Sequence, residues 1–107
     1  LFVMATPSKQ DGLRIAKALK QQLSQLPISD VILYGSVAKN KATKDSDIDI
    51  AIVTQPFARS KIKEVRAMYE QSPTLDVRVE LMVLHPEDME NRYLTIAQEI
   101  KRDGIVV

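Results

Sequence analysis

The sequence predicts a layered α/β domain in which a small mixed β-sheet packs against about four helices. Short apolar runs of strand length alternate along the chain with longer segments whose apolar residues recur at helical spacing. Pro, Gly and Asn residues separate these segments, and we find no repeat or low-complexity tract. We therefore expect a single domain over residues 1–107.

Composition limits what this domain can do. A chain of 107 residues with 45% hydrophobic content suits one core, without a separate acceptor-binding domain. The lack of cysteine excludes disulfides, thiolate metal sites and a cysteine nucleophile, and it favours a cytoplasmic protein. The 15 Lys and Arg residues nearly balance the 14 Asp and Glu residues, which argues against broad electrostatic capture of nucleic acid.

The first residues and the apolar runs give no sign of a membrane or export segment. No apolar run approaches the ~20 residues of a spanning helix. The segment Leu1 to Thr6 is too short for a secretory signal. We expect Met4 to be the natural start of the chain, with Leu1 to Val3 lying outside the native sequence.

The first half of the chain predicts a helix, a strand and a loop. The helix is expected from Asp11 to Leu26, and Pro27 ends it. The run Val31 to Tyr34 has the length of a buried strand and ends at Gly35. A short helix and then a polar loop from Lys39 to Ser46 follow. The apolar stripe of the first helix consists of Leu13, Ala16, Leu19, Leu23 and Leu26.

The second half predicts two more strands with helices between and after them. A strand is expected from Asp47 to Thr54, and a helix from about Arg59 to Gln71 carries Ile62, Val65, Met68 and Tyr69. Polar and apolar residues alternate from Asp76, which predicts a third strand up to Leu84. One helix then begins at Pro86 and ends at Gly104, and Ile105 to Val107 form a small edge strand.

A Gly-Ser pair and two aspartates form the most informative motif. Gly35 ends the first strand and permits close backbone approach, while Ser36 adds a hydroxyl and free amides at a helix start. Phosphate is the natural ligand of such a turn. Asp47 and Asp49 lie about 6.6 Å apart along a strand and point to the same face. Their carboxylates can therefore converge on hard cations that also bind a nucleotide's phosphates.

Three lysines lie in the loop that joins the Gly-Ser turn to the aspartates. Lys39, Lys41 and Lys44 can meet an incoming triphosphate with their cationic groups. The alternative is a solvated loop with no ligand, and the sequence leaves both interpretations open.

From Tyr34 to Ile50 the chain reads Y-G-S-V-A-K-N-K-A-T-K-D-S-D-I-D-I. This segment resembles the signature of the polymerase-beta-like nucleotidyltransferase superfamily, and the small stand-alone minimal nucleotidyltransferases are most similar. The resemblance implies the nucleotidyltransferase fold over residues 1–107. It also implies a triphosphate held at the Gly-Ser turn and two Mg²⁺ ions. The expected nucleotide-binding residues are Gly35, Ser36, Lys39, Lys44 and Ser46.

The resemblance assigns catalysis and metal binding to three carboxylates, those of Asp47, Asp49 and Glu80. Glu80 lies where relatives usually have Asp, so its side chain is one methylene longer, and it is also the candidate base. The alternative for Glu80 is an ion pair with Arg78 on the same strand face. For the aspartates, the alternative is the polar start of a solvated strand. Asn40 replaces a Gly of many relatives and tolerates positive φ.

The single histidine and the aromatic residues receive structural interpretations. His85 directly precedes Pro86, so we expect it in a turn or helix cap and not in a metal site. Tyr69, Tyr93 and the aliphatic stripes are expected to pack in the core or against a partner. An exposed part of such a stripe can dock another chain.

The resemblance implies transfer of a nucleoside monophosphate, AMP from ATP, to a hydroxyl acceptor. Small members of the family often act as the antitoxin that modifies a helical HEPN-domain toxin, so such a protein is the expected partner. We expect neither a membrane nor nucleic acid as a direct partner, and a homo-oligomer remains open. The alternative from another class is a nucleotide-binding module with weak or no activity that neutralises its partner by binding.

Overall fold

We describe residues 5–107 of a computed structural model. The expectation that Met4 is the natural start lies outside these residues. Strands and helices alternate for most of the chain, as the sequence predicts, and two short helices add to three longer ones. The helices are α1 (Lys9–Gln22), α2 (Gly35–Ala38), α3 (Lys61–Gln71), α4 (Pro86–Glu90) and α5 (Thr95–Asp103). The strands are β1 (Ile28–Tyr34), β2 (Ile48–Thr54), β3 (Val79–Leu84) and β4 (Ile105–Val106).

The four strands form one mixed sheet in the order β3-β2-β1-β4. β1 pairs antiparallel with both β2 and β4, whereas β2 and β3 are parallel and are joined through α3. Parallel strands need such a crossover, which explains why a helix separates them in sequence. The arrangement confirms the predicted mixed α/β sheet, and it brings the starts of β2 and β3 to the same end.

Alternating side chains give the sheet two apolar faces. The larger face packs against α1 and α3, and Leu19, Leu33, Ile50 and Met68 are fully buried there. The smaller face packs against α4 and α5 around Ile100. Burial on both faces explains why the inner strands are nearly continuous apolar runs. Within residues 5–107, every helix is too short or too polar to cross a membrane.

Helix α1 begins earlier and ends earlier than its apolar stripe predicts. Ser8 caps its start, because its side chain accepts a hydrogen bond from the N–H of Asp11 while Asp11 accepts one from the N–H of Ser8. This reciprocal arrangement is a capping box. The helix ends at Gln22, and Leu23 to Leu26 continue as turns, so an apolar stripe alone overestimated its length.

Strand β3 begins at Val79, so the predicted start at Asp76 is wrong. The Asp76 carboxylate accepts hydrogen bonds from both the backbone N–H and the guanidinium of Arg78. These local bonds hold the backbone in a turn up to Arg78, whose carbonyl accepts the N–H of Ile48 just before β3 begins. The alternation of polar and apolar residues before Val79 therefore reflects a turn and not a strand.

The predicted single helix from Pro86 to Gly104 is two helices, α4 and α5. Asn91 interrupts them, because its side chain accepts a hydrogen bond from the N–H of Tyr93 at 3.0 Å. An Asn side chain that competes in this way for backbone donors favours a turn. Gly104 caps α5, and Ile105–Val106 forms the predicted edge strand.

The apolar face of α3 differs from the predicted stripe. Its fully buried residues are Glu64 and Met68, whereas Ile62 is 75% exposed and Tyr69 is 41% exposed. Tyr93 is also outside the core, with 80% of its surface exposed. The core alternative is therefore wrong for these three residues, and a carboxylate occupies the place expected for an apolar side chain.

Candidate active site

Three carboxylates meet where β2 and β3 begin. Asp47 directly precedes β2, Asp49 is its second residue, and Glu80 is the second residue of β3. The Cα atoms of Asp49 and Glu80 are direct partners in the parallel ladder, so their side chains share a face. One carboxylate oxygen from each of the three residues lies within 4.8 Å of the others. No other His, Asp or Glu group within residues 5–107 has this arrangement.

The carboxylates crowd together without a cationic partner. Throughout the part of the chain described here, no Lys, Arg or His nitrogen lies within 4.0 Å of them. Burial, and then the charges of Glu80, Asp47 and Glu99, raise the pKa of Asp49 to about 6. Like charges held close in this way favour a bound cation.

All of the donor atoms in this cluster are carboxylate oxygens. Hard divalent cations such as Mg²⁺ prefer oxygen ligands, and the cluster therefore fits a divalent metal. Asp47 and Glu80 are exposed while Asp49 is half-buried, which gives an ion access from solvent. The longer side chain of Glu80 reaches the same cluster as the two aspartates.

Two residues near the carboxylates were missed from the sequence. Tyr34 is the Cα partner of Asp49 on the other side, so the phenol, Asp49 and Glu80 form a row across three strands. Burial, and then Asp49, Glu80 and Glu99, raise the pKa of Tyr34 to about 12. The antiparallel register between β1 and β2 could have revealed Tyr34. Glu99 gave no sequence signal, because its proximity depends on how α5 packs.

Gly35 lies directly against the acidic cluster. Its φ is +75°, a conformation that side chains disfavour. A Cβ at this position would overlap Oδ2 of Asp49 and would come within 3.2 Å of its Cγ. Glycine is therefore required by the backbone and by the neighbouring carboxylate, whether or not phosphate binds. Asn40 has φ of 57°, which confirms the expected positive φ.

The other predicted nucleotide-binding residues lie along α2 and the following loop. Ser36 is half-buried in the first turn of α2, and Lys44 is exposed in the loop. The Nζ of Lys39 lies 3.9 Å from Oδ2 of Asp103 on α5. The hydroxyl of Ser46 accepts a hydrogen bond from the N–H of Thr43 at 2.8 Å. Lys39 and Ser46 thus contact protein groups, while Lys44 faces solvent.

The ion-pair alternative for Glu80 is wrong. The guanidinium of Arg78 binds Asp76, with Nη2 at 2.8 Å from Oδ2, and Nη1 donates to the carbonyl of Ala5 at 3.1 Å. This pairing lowers the pKa of Asp76 to about 2. Arg78 lies before the strand, whereas Glu80 lies within it as the Cα partner of Asp49.

His85 lies at the opposite end of β3 and caps α4, which confirms the expected helix cap. Its Nε2 is 2.6 Å from Oε1 of Glu64, which is fully buried. The other Glu64 oxygen accepts a hydrogen bond from the N–H of Phe57 at 2.8 Å. This histidine therefore takes part in a structural carboxylate contact and not in the acidic cluster.

Comparison with known proteins agrees with this geometry. The family model described as a nucleotidyltransferase domain matches residues 14–106. The chain belongs to this nucleotidyltransferase domain family. A crystal structure of a Sulfolobus solfataricus protein with a provisional assignment as a nucleotidyltransferase has the same fold, with a TM-score of 0.62 and 21% identity. The match covers 92% of this chain and 80% of that one. Comparison with curated proteins finds no match.

Proposed function

We propose that this protein transfers AMP from ATP to a hydroxyl acceptor and releases pyrophosphate. The carboxylate cluster of Asp47, Asp49 and Glu80 carries the proposal, because it lies beside the Gly35-Ser36 turn in a nucleotidyltransferase domain. The proposal includes two Mg²⁺ ions bound by these residues and a cytoplasmic setting.

Each residue of the cluster has a distinct role in this proposal. Bound divalent ions would supply Lewis acidity to the acceptor hydroxyl and to the leaving pyrophosphate. Asp47 and Asp49 bind and orient the ions, and the half-buried position of Asp49 limits its motion. Glu80 completes the ligand set and accepts the proton of the acceptor hydroxyl. The protein thus provides negative charge at one fixed point of the sheet.

The Gly-Ser turn and its loop bind the donor. The first amides of α2 and the Ser36 hydroxyl are hydrogen-bond donors for phosphate oxygens. Lys44 is free to contact the triphosphate from the loop, and Ser46 holds the loop through its contact with Thr43. To bind the triphosphate, Lys39 must leave Asp103 or contact both groups at once. The Lys39–Asp103 ion pair is a weak restraint, because its two atoms are 3.9 Å apart.

We propose a second protein as the acceptor. Family resemblance favours a helical HEPN-domain toxin as the partner that is modified. The activity would then neutralise the toxin by covalent attachment of AMP.

Labelled ATP tests this proposal directly. The protein is incubated with Mg²⁺, ATP labelled in the α-phosphate and the HEPN-domain candidate, and covalent label on the partner is measured. The double variant Asp47→Asn/Asp49→Asn should lower labelling by at least about a thousandfold. Asp45→Asn is the control, because it makes the same type of substitution in the adjacent exposed loop and should label normally. Label that persists in the double variant would refute the metal assignment.

The alternative is a module that neutralises its partner by binding alone. Its main support is Glu80 in place of Asp, but the Glu80 carboxylate lies within 4.8 Å of the two aspartates, which favours catalysis. The variant Glu80→Asp separates the two functions. It should retain measurable labelling if the cluster is catalytic, whereas a binding module would bind its partner equally well with and without ATP.

A further inference from the structure

Tyr34 places a phenol beside the carboxylate cluster. It is the last residue of β1, and its Cα is paired with that of Asp49 in the antiparallel ladder. Directly opposed residues share a face of the sheet, so the phenol rises next to the Asp49 carboxylate. Glu80 is paired with Asp49 on the other side. Burial, and then the charges of Asp49, Glu80 and Glu99, raise the pKa of Tyr34 to about 12, which agrees with this placement.

The ring of Tyr34 is buried, but its hydroxyl is not. Only 6% of the residue is exposed, and it belongs to the smaller core together with Leu84 and Ile100. In the part of the chain described, its hydroxyl makes no hydrogen bond, whereas those of Tyr69 and Tyr93 each contact a protein group. Every fully buried side-chain N or O among these residues has a partner. The small exposed part of Tyr34 therefore includes its hydroxyl.

The backbone next to Tyr34 holds the phenol in one place. Tyr34 is extended, with φ of −142°, and Gly35 turns the chain directly after it at φ +75°. The Asp49 carboxylate fills the space that a side chain on Gly35 would need. The phenol and this carboxylate are thus supported by the same rigid strands, which suits a group that orients a ligand.

A divalent ion at the cluster would bring its own hydrogen-bond donors. Hard ions held by a few carboxylates keep several water molecules as ligands. The charge of the ion makes these waters strong donors, and a phenol oxygen can accept from them. Groups that contact the ligands of a metal in this way typically change metal affinity by about 10- to 100-fold.

We propose that Tyr34 is a positioning residue for the divalent ion bound by Asp47, Asp49 and Glu80. Its hydroxyl oxygen accepts a hydrogen bond from a water molecule on the ion and holds the hydrated ion against Asp49. This role rests on the metal site of the proposed function, but not on the nucleotide or the acceptor. The alternative is a core aromatic residue whose hydroxyl only reaches solvent, in which case phenylalanine would serve equally well.

Calorimetric titration with Mn²⁺ tests the role of the hydroxyl. Mn²⁺ takes the same oxygen ligands as Mg²⁺. Tyr34→Phe keeps the ring and removes the hydroxyl, so the dissociation constant for Mn²⁺ should rise about tenfold. Tyr93→Phe makes the same substitution where the residue is 80% exposed, and it should bind Mn²⁺ like the wild type. Asp47→Asn/Asp49→Asn should abolish binding, which identifies the cluster as the site that is measured.

Thermal denaturation in EDTA separates positioning from a structural role. Because the Tyr34 hydroxyl has no partner among the described residues, Tyr34→Phe should lower the melting temperature by less than about 2 °C. Saturation of the wild type with Mn²⁺ should raise the melting temperature more than the same Mn²⁺ concentration does for Tyr34→Phe. A structural hydroxyl would give the reverse, with lower stability in EDTA and unchanged Mn²⁺ affinity.

Terbium luminescence tests where the phenol lies. Tb³⁺ is a hard cation that binds carboxylates, and it emits when a tyrosine close to it is excited. The chain has three tyrosines and no tryptophan, so the tyrosines are the only sensitisers at their excitation wavelength. At saturating Tb³⁺, Tyr34→Phe should lose most of the emission, whereas Tyr69→Phe and Tyr93→Phe should keep it.

Three results would overturn the inference, and they separate its failure from that of the proposed function. A wild type that binds no Mn²⁺ would refute the metal site and, with it, the role of Tyr34. Equal Mn²⁺ affinity in Tyr34→Phe and the wild type would refute the role of Tyr34 alone and leave the metal site intact. Emission from Tb³⁺ that survives in Tyr34→Phe would place a different tyrosine next to the ion.

Discussion

The two ends of β2 and β3 hold acidic residues in opposite states. Where the strands begin, at what we call the unpaired end, Asp47, Asp49 and Glu80 crowd together with no nearby cation. Beyond the end of β3, at what we call the paired end, Glu64 binds His85 and a backbone N–H. Asp88 binds there as well, to Lys61 and to the N–H of His85.

The pKa values express this difference. Burial raises the pKa of Asp49, and neighbouring carboxylates raise it further, to about 6. Burial would also raise the pKa of Glu64, but hydrogen bonds from Phe57 and His85 outweigh it and hold the pKa below its usual range. Hydrogen-bond partners, and not burial, therefore decide which carboxylate is stabilised in its ionised form. Acids with partners stabilise the fold, and acids without them are suited to an external cation.

The largest effect is expected at the paired end. Glu64→Ala leaves His85 and the Phe57 N–H without their acceptor and opens a cavity, so the free energy of unfolding should fall by about 3 to 5 kcal/mol. Urea denaturation at neutral pH measures this loss. Glu90→Ala removes an exposed acid from neighbouring α4 and should change it by less than about 0.5 kcal/mol. Equal losses in the two variants would contradict the structural role of Glu64.

Gly35 should give the next largest effect, at the unpaired end. Gly35→Ala places a Cβ at φ +75° and against Asp49, so it should cost about 2 to 3 kcal/mol of unfolding free energy. It should also weaken stabilisation by ATP and Mg²⁺ in thermal denaturation. Ser36→Ala, one residue later in helical backbone, is the stability control and should cost under about 0.5 kcal/mol. A stable Gly35→Ala variant would show that the turn tolerates a side chain.

The sequence was sufficient to predict the unpaired end because its signal is local. Period-two alternation put Asp47 and Asp49 on one face, and family resemblance added Glu80. All three carboxylates lie together in the structure. The paired end was not predicted, since Glu64 on a helix resembles a solvated residue. Its burial depends on His85, which lies 21 residues away in sequence.

The predicted element boundaries that were wrong have a related cause. Asp76 and Asn91 redirect the backbone through side-chain hydrogen bonds, and these shortened β3 and divided the last predicted helix. Periodicity of apolar residues carries no information on such bonds. The exposed position of Ile62 likewise depends on how α3 packs against the sheet. Residue pattern thus predicted the elements and their order, while competing polar contacts determined where they end.

The pH dependence of Asp49 sharpens the contrast further. With a pKa near 6 in the folded chain and 3.8 for an ordinary Asp, the folded state binds more protons between these values. The stability that protonated Asp49 contributes is therefore lost as pH rises through about 6. Without metal, the free energy of unfolding of Asp49→Asn should exceed that of the wild type by about 1 kcal/mol at about pH 7.5, after allowance for solvent screening.

This advantage of Asp49→Asn should disappear as pH falls toward about 4. Added Mg²⁺ should stabilise the wild type but not the variant, which reverses the order at neutral pH. Thermal denaturation across the pH range, with and without EDTA, measures both effects. Asp45→Asn is the control for general charge, and a profile there that matches Asp49→Asn would contradict a specific effect of Asp49.

The smallest effect is expected from Lys61, although its contact is short. Its Nζ lies 2.6 Å from Oδ2 of Asp88, but 44% of the lysine side chain is exposed. In Lys61→Gln the Asp88 carboxylate still accepts a hydrogen bond from the N–H of His85 at 2.8 Å, so it keeps a partner. The free energy of unfolding should fall by less than about 1 kcal/mol, and the loss should shrink in about 0.5 M salt. A loss of unfolding free energy as large as that of Glu64→Ala would contradict this expectation. It would mean that ion pairs control stability at this end, and not the cost of leaving a buried group without its partner.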